Sequence, residues 1–292
     1  MLHNDQIRPV SDLGLSAGQT GLLNGWGVFS TIRVYDGVMF CWPRHFARMR
    51  HDARLMRVPF PTDAAWLEQR LLKLLDANQA HNATLRVAIV RNHGGAFQGD
   101  SIEREFDLIA FTAQVYNWGT SVRLGLIPHG RHAANEFAGV KYLSWAQNLT
   151  WYERAHEQGL DEVVLLNERG EVAECTSANI FTAFKTPSGV EVRTPPLSSG
   201  CLPGVTRALL LEEVQVPGIR VVEAVLHPAD LEAADEVFIT STTRELLPVV
   251  HIAGLRLNPH ALSAPSACDQ LVIGLKSYIH QYVSTKTTKT SV

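Results

Sequence analysis

The sequence Gly139-Val140-Lys141-Tyr142-Leu143-Ser144-Trp145 places a lysine just after a predicted apolar strand and a polar loop. A second stretch, Glu174-Cys175-Thr176-Ser177-Ala178-Asn179-Ile180-Phe181, begins where a predicted strand hairpin ends. Most lysine and glutamate side chains are solvated surface groups, so the pair does not identify a site by itself. Its position beside predicted strand ends makes Lys141 and Glu174 candidates for groups that face a cleft.

A lysine and a carboxylate so placed suit the chemistry of one cofactor, pyridoxal 5′-phosphate. A primary amine forms an imine with the aldehyde of this cofactor. A carboxylate keeps the pyridine nitrogen protonated, so that the ring acts as an electron sink. Lys141 is the candidate for the first role and Glu174 for the second.

Three other features are candidate phosphate ligands. Arg48 lies in a predicted helix that starts at Pro43, and a guanidinium can donate two parallel charged hydrogen bonds to a phosphate. The alternative for Arg48 is a surface arginine whose stem covers apolar neighbours. Leu202-Pro203-Gly204-Val205-Thr206 opens a predicted helix, where unpaired amides favour an anion, unless it is an ordinary loop-to-helix junction. Ser241-Thr242-Thr243 ends a predicted strand and offers amides and a hydroxyl, or simply a polar turn.

Composition narrows the class of protein. The chain has 292 residues, a hydrophobic fraction of 46% and a net charge of −3, without the basic stripe typical of nucleic-acid binders. No window approaches the ~18 apolar residues that span a bilayer, so we expect no membrane association and a cytoplasmic location. The four cysteines are widely spaced, which predicts reduced thiols and no metal site.

The hydrophobic pattern predicts an α/β (α+β) chain. Residues 28–35 read as a strand followed by the Asp36-Gly37 hairpin turn, and a helix with a buried apolar stripe follows. Residues 84–90 alternate cleanly, which puts Arg86 on the face of small apolar residues, either at a sheet edge or aimed into a cleft. A polar stretch around residues 116–121 is the candidate linker between domains.

Four stretches resemble, in the right order, the class IV (fold type IV) aminotransferases. This family includes branched-chain aminotransferases, D-amino acid aminotransferases and aminodeoxychorismate lyases. The resemblance runs from about Gly21 to Val250. It rests on the lysine stretch, on Glu174 to Phe181, on Thr194 to Arg207 and on Ala234 to Thr243.

The resemblance implies a small N-terminal α/β domain over residues 1–115, an interdomain linker over 116–121 and a larger domain over 122–292. It implies that pyridoxal 5′-phosphate lies between the two domains and that the enzyme is a homodimer. The reaction that it implies moves an amino group between an amino acid and a 2-oxo acid, with a Schiff base at Lys141.

The resemblance also implies a role for each candidate residue. Lys141 carries the cofactor and shuttles the substrate proton, and Glu174 pairs with the pyridine nitrogen. The expected cofactor ligands are Arg48, Lys141, Glu174, Leu202, Gly204, Val205, Thr206 and Thr242. The expected substrate ligands are Phe29, Arg86, Thr242 and Thr243.

The resemblance leaves open which member of the family the chain is. Phe29, Arg86 and the stretch from Thr194 to Arg207 look like the branched-chain enzymes, which predicts a branched-chain or hydrophobic L-amino acid as substrate. Those enzymes place a tyrosine about five residues beyond the lysine, where this chain has Ala146.

Three alternatives remain. D-amino acid aminotransferases use an Arg-x-His pair, which Arg91-Asn92-His93 matches in letters, although the expected register falls on Ala96 and Gln98. Aminodeoxychorismate lyases resemble the chain from Phe29 onward but commonly carry an asparagine near Ser241-Thr242-Thr243. A protein that binds the cofactor without catalysis would require an inert Lys141.

Overall fold

A computed structural model describes residues 1–12, 14, 18–95, 103–258 and 266–290. The chain divides into two compact units. The first unit contains residues 1–116, 140–145 and 282–292, and the second contains residues 117–139 and 146–281. The lysine stretch from Val140 to Trp145 therefore counts with the N-terminal part of the chain, although the sequence places it in the C-terminal part.

The first unit is built on a six-stranded sheet within its described residues. Its elements are β1 (Leu2–His3), β2 (Gln6–Ile7), α1 (Thr20–Asn24), β3 (Gly27–Tyr35), β4 (Val38–Met39), α2 (Trp42–Leu55), α3 (Ala64–Ala77), β5 (Ala83–Arg91) and β6 (Phe106–Ala113). The strands lie in the order β2-β1-β6-β5-β3-β4, and each neighbouring pair is antiparallel.

Local sequence explains the central hairpin and the helices of this unit. Asp36 and Gly37 have φ values of 49° and 78°, as a tight turn between β3 and β4 requires. Asp63 is the N-cap of helix α3, and its carboxylate accepts the backbone N–H of Ala65. Met49 of α2 and Leu67 of α3 are fully buried in the main apolar cluster of the unit, together with strand residues such as Ile32. This packing holds α2 close to β3, where candidate residues lie.

The second unit carries an eight-stranded mixed sheet in its described part. Its elements are β7 (Val122–Ile127), α4 (Ala146–Glu157), β8 (Glu162–Leu166), β9 (Val172–Cys175), β10 (Asn179–Thr186), β11 (Gly189–Thr194), α5 (Val205–Glu212), β12 (Ile219–Glu223), α6 (Pro228–Ala233), β13 (Glu236–Ser241), β14 (Glu245–Ile252) and α7 (Ala267–Thr290). The strand order is β12-β11-β10-β13-β14-β7-β8-β9.

Most strand pairs of this sheet are antiparallel, whereas β11–β12, β14–β7 and β7–β8 are parallel. All five residues of β8 and all four of β9 are buried, which matches their near-continuous apolar sequence. Among the described residues, no helix is both long enough and apolar enough to span a membrane.

The expected α/β fold class is confirmed, because each unit combines one sheet with helices. The expected domain boundaries, 1–115, 116–121 and 122–292, stay a prediction, and the first division between the compact units falls between residues 116 and 117. Residues 140–145 and 282–292 count with the first unit.

Candidate active site

The lysine segment, residues 140–145, pairs with the start of β3. Tyr142 forms an antiparallel bridge with Val28. The Phe29 N–H donates to the Lys141 carbonyl at 3.0 Å, and the Leu143 N–H donates to the Gly27 carbonyl at 2.9 Å. The backbone on either side of the bridge is therefore fixed to the sheet.

The Phe29 ring brings three candidate residues together. Lys141 Nζ lies 4.6 Å from its centroid, and Arg86 Cζ lies 4.1 Å from the same centroid. Trp145 packs edge-on against Phe29 at 5.8 Å between ring centroids and lies 5.2 Å from Lys141 Nζ. Both cations lie within range of a cation–π interaction, beside an apolar wall.

Arg86 reaches Phe29 because the two residues are diagonal neighbours across β3 and β5. Phe29 is paired with Ala88, two residues after Arg86 on the same face of the sheet. Burial lowers the pKa of Arg86 from its ordinary value, because a guanidinium loses hydration there. No carboxylate among the described residues pairs with Arg86, which leaves its charge available for an acidic ligand.

Helix α2 presents His45, Arg48 and Asp52 on one face, since they lie at helical spacing. Arg48 Nη2 donates to the Ser30 hydroxyl at 2.8 Å, and that oxygen lies 2.7 Å from His45 Nδ1. The pKa of His45 lies well below its ordinary value because of burial and, secondarily, the nearby charges of Arg48 and Lys141. The imidazole is therefore neutral and adds no competing cation beside Arg48.

Asp52 was not a sequence candidate. Its Oδ2 accepts the Lys141 backbone N–H at 3.2 Å. Burial raises the pKa of this carboxyl, while the Lys141 hydrogen bond and the charge of Arg48 oppose the rise. Sequence reasoning could have noted an acid one turn beyond Arg48 on the same helix.

Glu174 lies on β9 and is 7% exposed. Its Oε1 accepts Arg131 Nε at 2.8 Å, and its Oε2 accepts the Leu202 backbone N–H at 3.0 Å. Arg131 Nη1 also donates to Asn148 Oδ1 at 3.2 Å, and the Asn148 side chain donates to the Thr176 carbonyl at 2.9 Å. The carboxylate is held by two donors, one of them charged.

Arg131 and Asn148 were not sequence candidates either. Arg131 follows β7 in a loop, and Asn148 lies on α4, so neither is near Glu174 in sequence. Leu202, which the family resemblance makes a candidate cofactor ligand, contacts Glu174 through its backbone N–H.

The start of α5 has the features of an anion site. Gly204 is the N-cap, with φ −65° and ψ 138°, and supplies no side-chain capping bond to the first amides of the helix. A Cβ on Gly204 would lie 2.0 Å from Asn179 Oδ1, and the Asn179 amide donates to the Leu202 carbonyl at 2.9 Å. Val205 and Thr206 are buried directly after it. Asn179 thus holds the turn that leads into the helix.

Thr242 and Thr243 lie in the tight turn between β13 and β14. The next residue, Arg244, donates its backbone N–H to the Ser241 hydroxyl at 3.2 Å. Its guanidinium donates to the Ser177 hydroxyl at 2.8 Å and lies 3.8 Å from the Trp118 ring centroid. No described contact joins the two threonines to Glu174. Their neighbour Arg244, however, bonds Ser177, which lies in the stretch from Glu174 to Phe181.

Arg91-Asn92-His93, which matches the Arg-x-His pair of the D-amino acid enzymes in letters, is bound within the protein. Arg91 donates to the backbone carbonyls of His93 and Arg57, each at 2.5 Å, and lies 4.1 Å from the Trp26 ring centroid. Its guanidinium is engaged by the protein itself. Ala96 and Gln98, where the family register falls, lie outside the described residues.

A family model described as "Amino-transferase class IV" matches residues 27–252. The chain belongs to the class IV aminotransferase family. The resemblance predicted from the sequence is thereby confirmed, and so is the expectation of an enzyme. Class IV aminotransferases in general depend on pyridoxal 5′-phosphate and act on amino acids and 2-oxo acids.

Relatives within the family differ in name. A Methanocaldococcus jannaschii protein, provisionally named a branched-chain-amino-acid aminotransferase, is 31% identical and covers 87% of this chain and 88% of its own. A D-alanine aminotransferase of Bacillus licheniformis is 26% identical, with the same coverage of 87% and 88%. These names show the class IV family and leave the substrate open.

Solved structures share the fold. A branched-chain aminotransferase of Thermoproteus uzoniensis with norvaline has a TM-score of 0.81 at 20% identity, covering 95% of this chain and 93% of its own. A 4-amino-4-deoxychorismate lyase of Pseudomonas aeruginosa has a TM-score of 0.73 at 22% identity, covering 94% and 96%. At these identities, the likeness is one of fold.

The donor sets fit the cofactor of class IV aminotransferases. Lys141 provides a primary amine beside aromatic rings. Arg48 and the uncapped start of α5 are cationic or N–H groups suited to a phosphate. Glu174 is an oriented carboxylate whose two oxygens still have lone pairs for a further donor.

Proposed function

We propose that the chain is a pyridoxal 5′-phosphate-dependent aminotransferase that moves the amino group between a branched-chain or hydrophobic L-amino acid and a 2-oxo acid. One observation carries the proposal. The amine of Lys141 and the guanidinium of Arg86 both approach the ring of Phe29, with no carboxylate paired to Arg86 among the described residues. A base, a carboxylate ligand and an apolar wall are what an amino acid with an apolar side chain requires.

Each cofactor contact in this proposal comes from a residue with suitable chemistry. Arg48, the amides of Val205 and Thr206 after Gly204, and Thr242 would hold the phosphate. Glu174 would pair with the pyridine nitrogen, and Leu202 would pack on the ring. When bound, pyridoxal 5′-phosphate supplies an aldehyde carbon and an electron-withdrawing ring that makes the α-proton of an amino acid labile.

Lys141 is the proton carrier of the reaction. Its Nζ would take the proton from the substrate α-carbon and would deliver it to the former aldehyde carbon of the cofactor, so that the amino group changes carriers. A positioned base of this kind contributes about 10²–10⁴ in rate. The backbone of Lys141 is fixed against β3 and α2, so the position from which its long side chain extends is defined before substrate binds.

Arg86 and the amides of Thr242 and Thr243 bind the substrate carboxylate. The guanidinium of Arg86 is half-buried beside an aromatic ring, where a charged hydrogen bond to a carboxylate is stronger than in water. Phe29 forms the apolar wall for the substrate side chain. This arrangement favours a monocarboxylic, apolar amino acid.

The contacts of Arg91 support an L-amino acid over a D-amino acid. The D-amino acid reading needs Arg91 as the carboxylate ligand, whereas its guanidinium donates to two backbone carbonyls and covers Trp26. Freeing Arg91 would break both of these hydrogen bonds, one part-buried and one exposed, and its stacking on Trp26. We further propose that the enzyme is a homodimer, which rests on the family resemblance.

Spectral titration of the holoenzyme tests the proposed substrate. L-Leucine, L-valine, D-alanine, D-glutamate and aminodeoxychorismate are added separately while the cofactor absorbance is followed. Loss of the visible band with L-leucine or L-valine supports the proposal. Conversion by D-amino acids alone, or pyruvate release from aminodeoxychorismate without a 2-oxo acid, would replace it with the corresponding alternative.

The Lys141→Ala variant tests the proposed base, with Lys185→Ala as the matched control because Lys185 is exposed on β10. We expect Lys141→Ala to lose the visible band and turnover together, and Lys185→Ala to keep both. Transamination by Lys141→Ala at a rate comparable to the control would exclude the assignment.

A further inference from the structure

Asp52 is a buried carboxyl group that the proposed reaction does not use. It is 1% exposed and lies on α2, one helical turn beyond Arg48. The described hydrogen bond of its carboxyl group is the one that Oδ2 accepts from the Lys141 backbone N–H at 3.2 Å, and among the described residues Oδ1 has no hydrogen-bond partner. A carboxyl group so far from water needs a structural or functional reason, because its burial is costly.

The bond to Asp52 takes the place of a regular sheet bond. In an antiparallel pair in which Phe29 donates to the Lys141 carbonyl, the reciprocal bond would run from the Lys141 N–H to the Phe29 carbonyl. The structure instead directs the Lys141 N–H to the side chain of Asp52. The backbone therefore leaves the ladder at Lys141 and turns toward α2.

We propose that Asp52 is a positioning residue that anchors the Lys141 backbone to helix α2 and so sets the direction in which the Lys141 amine extends along the Phe29 ring. The Lys141 carbonyl is held by β3 and its N–H by α2, so two elements fix one residue. The inference deepens the proposed function, on which its catalytic part rests.

The contact also links the amine to the proposed phosphate ligand. Asp52 and Arg48 lie four positions apart on one helix, and the charge of each affects the pKa of the other. Movement of α2 would displace Lys141 and Arg48 together. This coupling is mechanical and needs only the helix and one hydrogen bond.

Two variants separate the hydrogen bond from the charge. Asp52→Asn keeps an acceptor oxygen without the negative charge, and Asp52→Ala removes both. Asp161→Ala is the matched control, because the Asp161 carboxylate also accepts a backbone N–H, that of Arg123 at 2.7 Å, on the exposed surface of β7. If Asp52→Ala does not fold, Asp52→Leu fills the space without an acceptor.

The first measurement uses the apo-protein and does not depend on the proposed function. Hydrogen–deuterium exchange of the Lys141 amide is expected to become at least tenfold faster in Asp52→Ala, because a hydrogen bond of this kind is lost. Asp52→Asn and the Asp161→Ala control are expected to stay within about threefold of the unmodified protein. Unchanged exchange in Asp52→Ala would overturn the inference even if the enzyme is an aminotransferase.

The second measurement compares two ligands. Pyridoxal 5′-phosphate needs a placed Lys141 amine, whereas pyridoxamine 5′-phosphate offers the same phosphate without an aldehyde. We expect Asp52→Ala to lower affinity for the aldehyde form roughly tenfold or more and kcat by up to ~10²-fold, while affinity for the amine form changes little. Equal losses for both ligands, or Asp52→Asn behaving like Asp52→Ala, would show that Asp52 acts through charge or through Arg48 and would refute the inference.

Discussion

Replacing Arg131 tests whether its ion pair with Glu174 stabilises the fold and orients the Glu174 carboxylate. Arg131 Nε lies 2.8 Å from Glu174 Oε1, and the two side chains are 19% and 9% exposed. Removing one partner of a buried ion pair costs about 3–5 kcal/mol. The Leu202 N–H still bonds the other carboxylate oxygen, and water reaches part of the Arg131 site. We therefore expect Arg131→Met to lower the free energy of unfolding by about 2–3 kcal/mol.

Urea denaturation of the apo-protein measures this loss, with a thermal melt beside it. For a domain of this size, 2–3 kcal/mol corresponds to a decrease in Tm of roughly 4–12 °C. Arg131→Lys should recover part of the stability, because one ammonium cannot bond Glu174 and Asn148 as the guanidinium does. Since the orientation of Glu174 is loosened, kcat should also fall roughly tenfold or more in Arg131→Met.

Arg169→Met is the matched control for Arg131→Met. Arg169 also pairs with a glutamate, Glu171, at 2.7 Å, but its side chain is 44% exposed. An exposed pair is screened by water and contributes little, so this variant should change stability little. If Arg131→Met and Arg169→Met were equally stable, the ion pair would not hold Glu174 and the reasoning would be refuted.

Three further predictions concern Gly204, His45 and the four cysteines. Gly204→Ala should lose about 1–3 kcal/mol of stability and weaken phosphate binding, because the added methyl would lie 2.0 Å from Asn179 Oδ1. Gly14→Ala, with nothing within 4 Å of its added methyl, should be neutral in the same urea assay. His45 has a folded-state pKa below its ordinary value of 6.5, so the unfolded chain binds more protons and stability should fall as pH drops below 6.5. His45→Gln should flatten that dependence in urea melts between about pH 7.5 and 5, and an unchanged slope would contradict it. All four cysteines are buried, and burial raises the pKa of Cys201 to about 12, so a thiol reagent at neutral pH should react only after unfolding.

Local patterns predict much of the fold. The strand expected over residues 28–35 corresponds to β3 (Gly27–Tyr35), and the helix expected to start at Pro43 corresponds to α2 (Trp42–Leu55). These elements are set by side-chain periodicity and by turn residues within a few positions of one another. The proximity of Phe29 and Arg86 also follows from strand register once β3 and β5 pair.

The residues missed from the sequence all act through distant partners. Arg131 and Glu174 lie 43 positions apart, and Asp52 and Lys141 lie 89 positions apart. Both contacts depend on the course of the chain after β7, which carries Arg131 and Lys141 and which no local pattern specifies. Arginine and aspartate are mostly surface residues, so nothing in the sequence marks Arg131 in its loop or Asp52 on its helix as buried.

Glu174 and Lys141 are held in different ways, and the difference matches the roles proposed for them. Both oxygens of the Glu174 carboxylate are fixed by donors, so the charge itself is oriented before a ligand arrives. At Lys141 the hydrogen bonds fix the backbone, while the four-carbon side chain extends along the Phe29 and Trp145 rings. A carboxylate that only balances the charge of a ligand works best when it is rigid. An amine that binds and releases the cofactor and carries a proton needs a fixed backbone and a mobile side-chain end. Loss of Arg131 should therefore loosen the orientation of the Glu174 carboxylate. Loss of Asp52 should loosen the Lys141 backbone, from which the side chain with the amine extends.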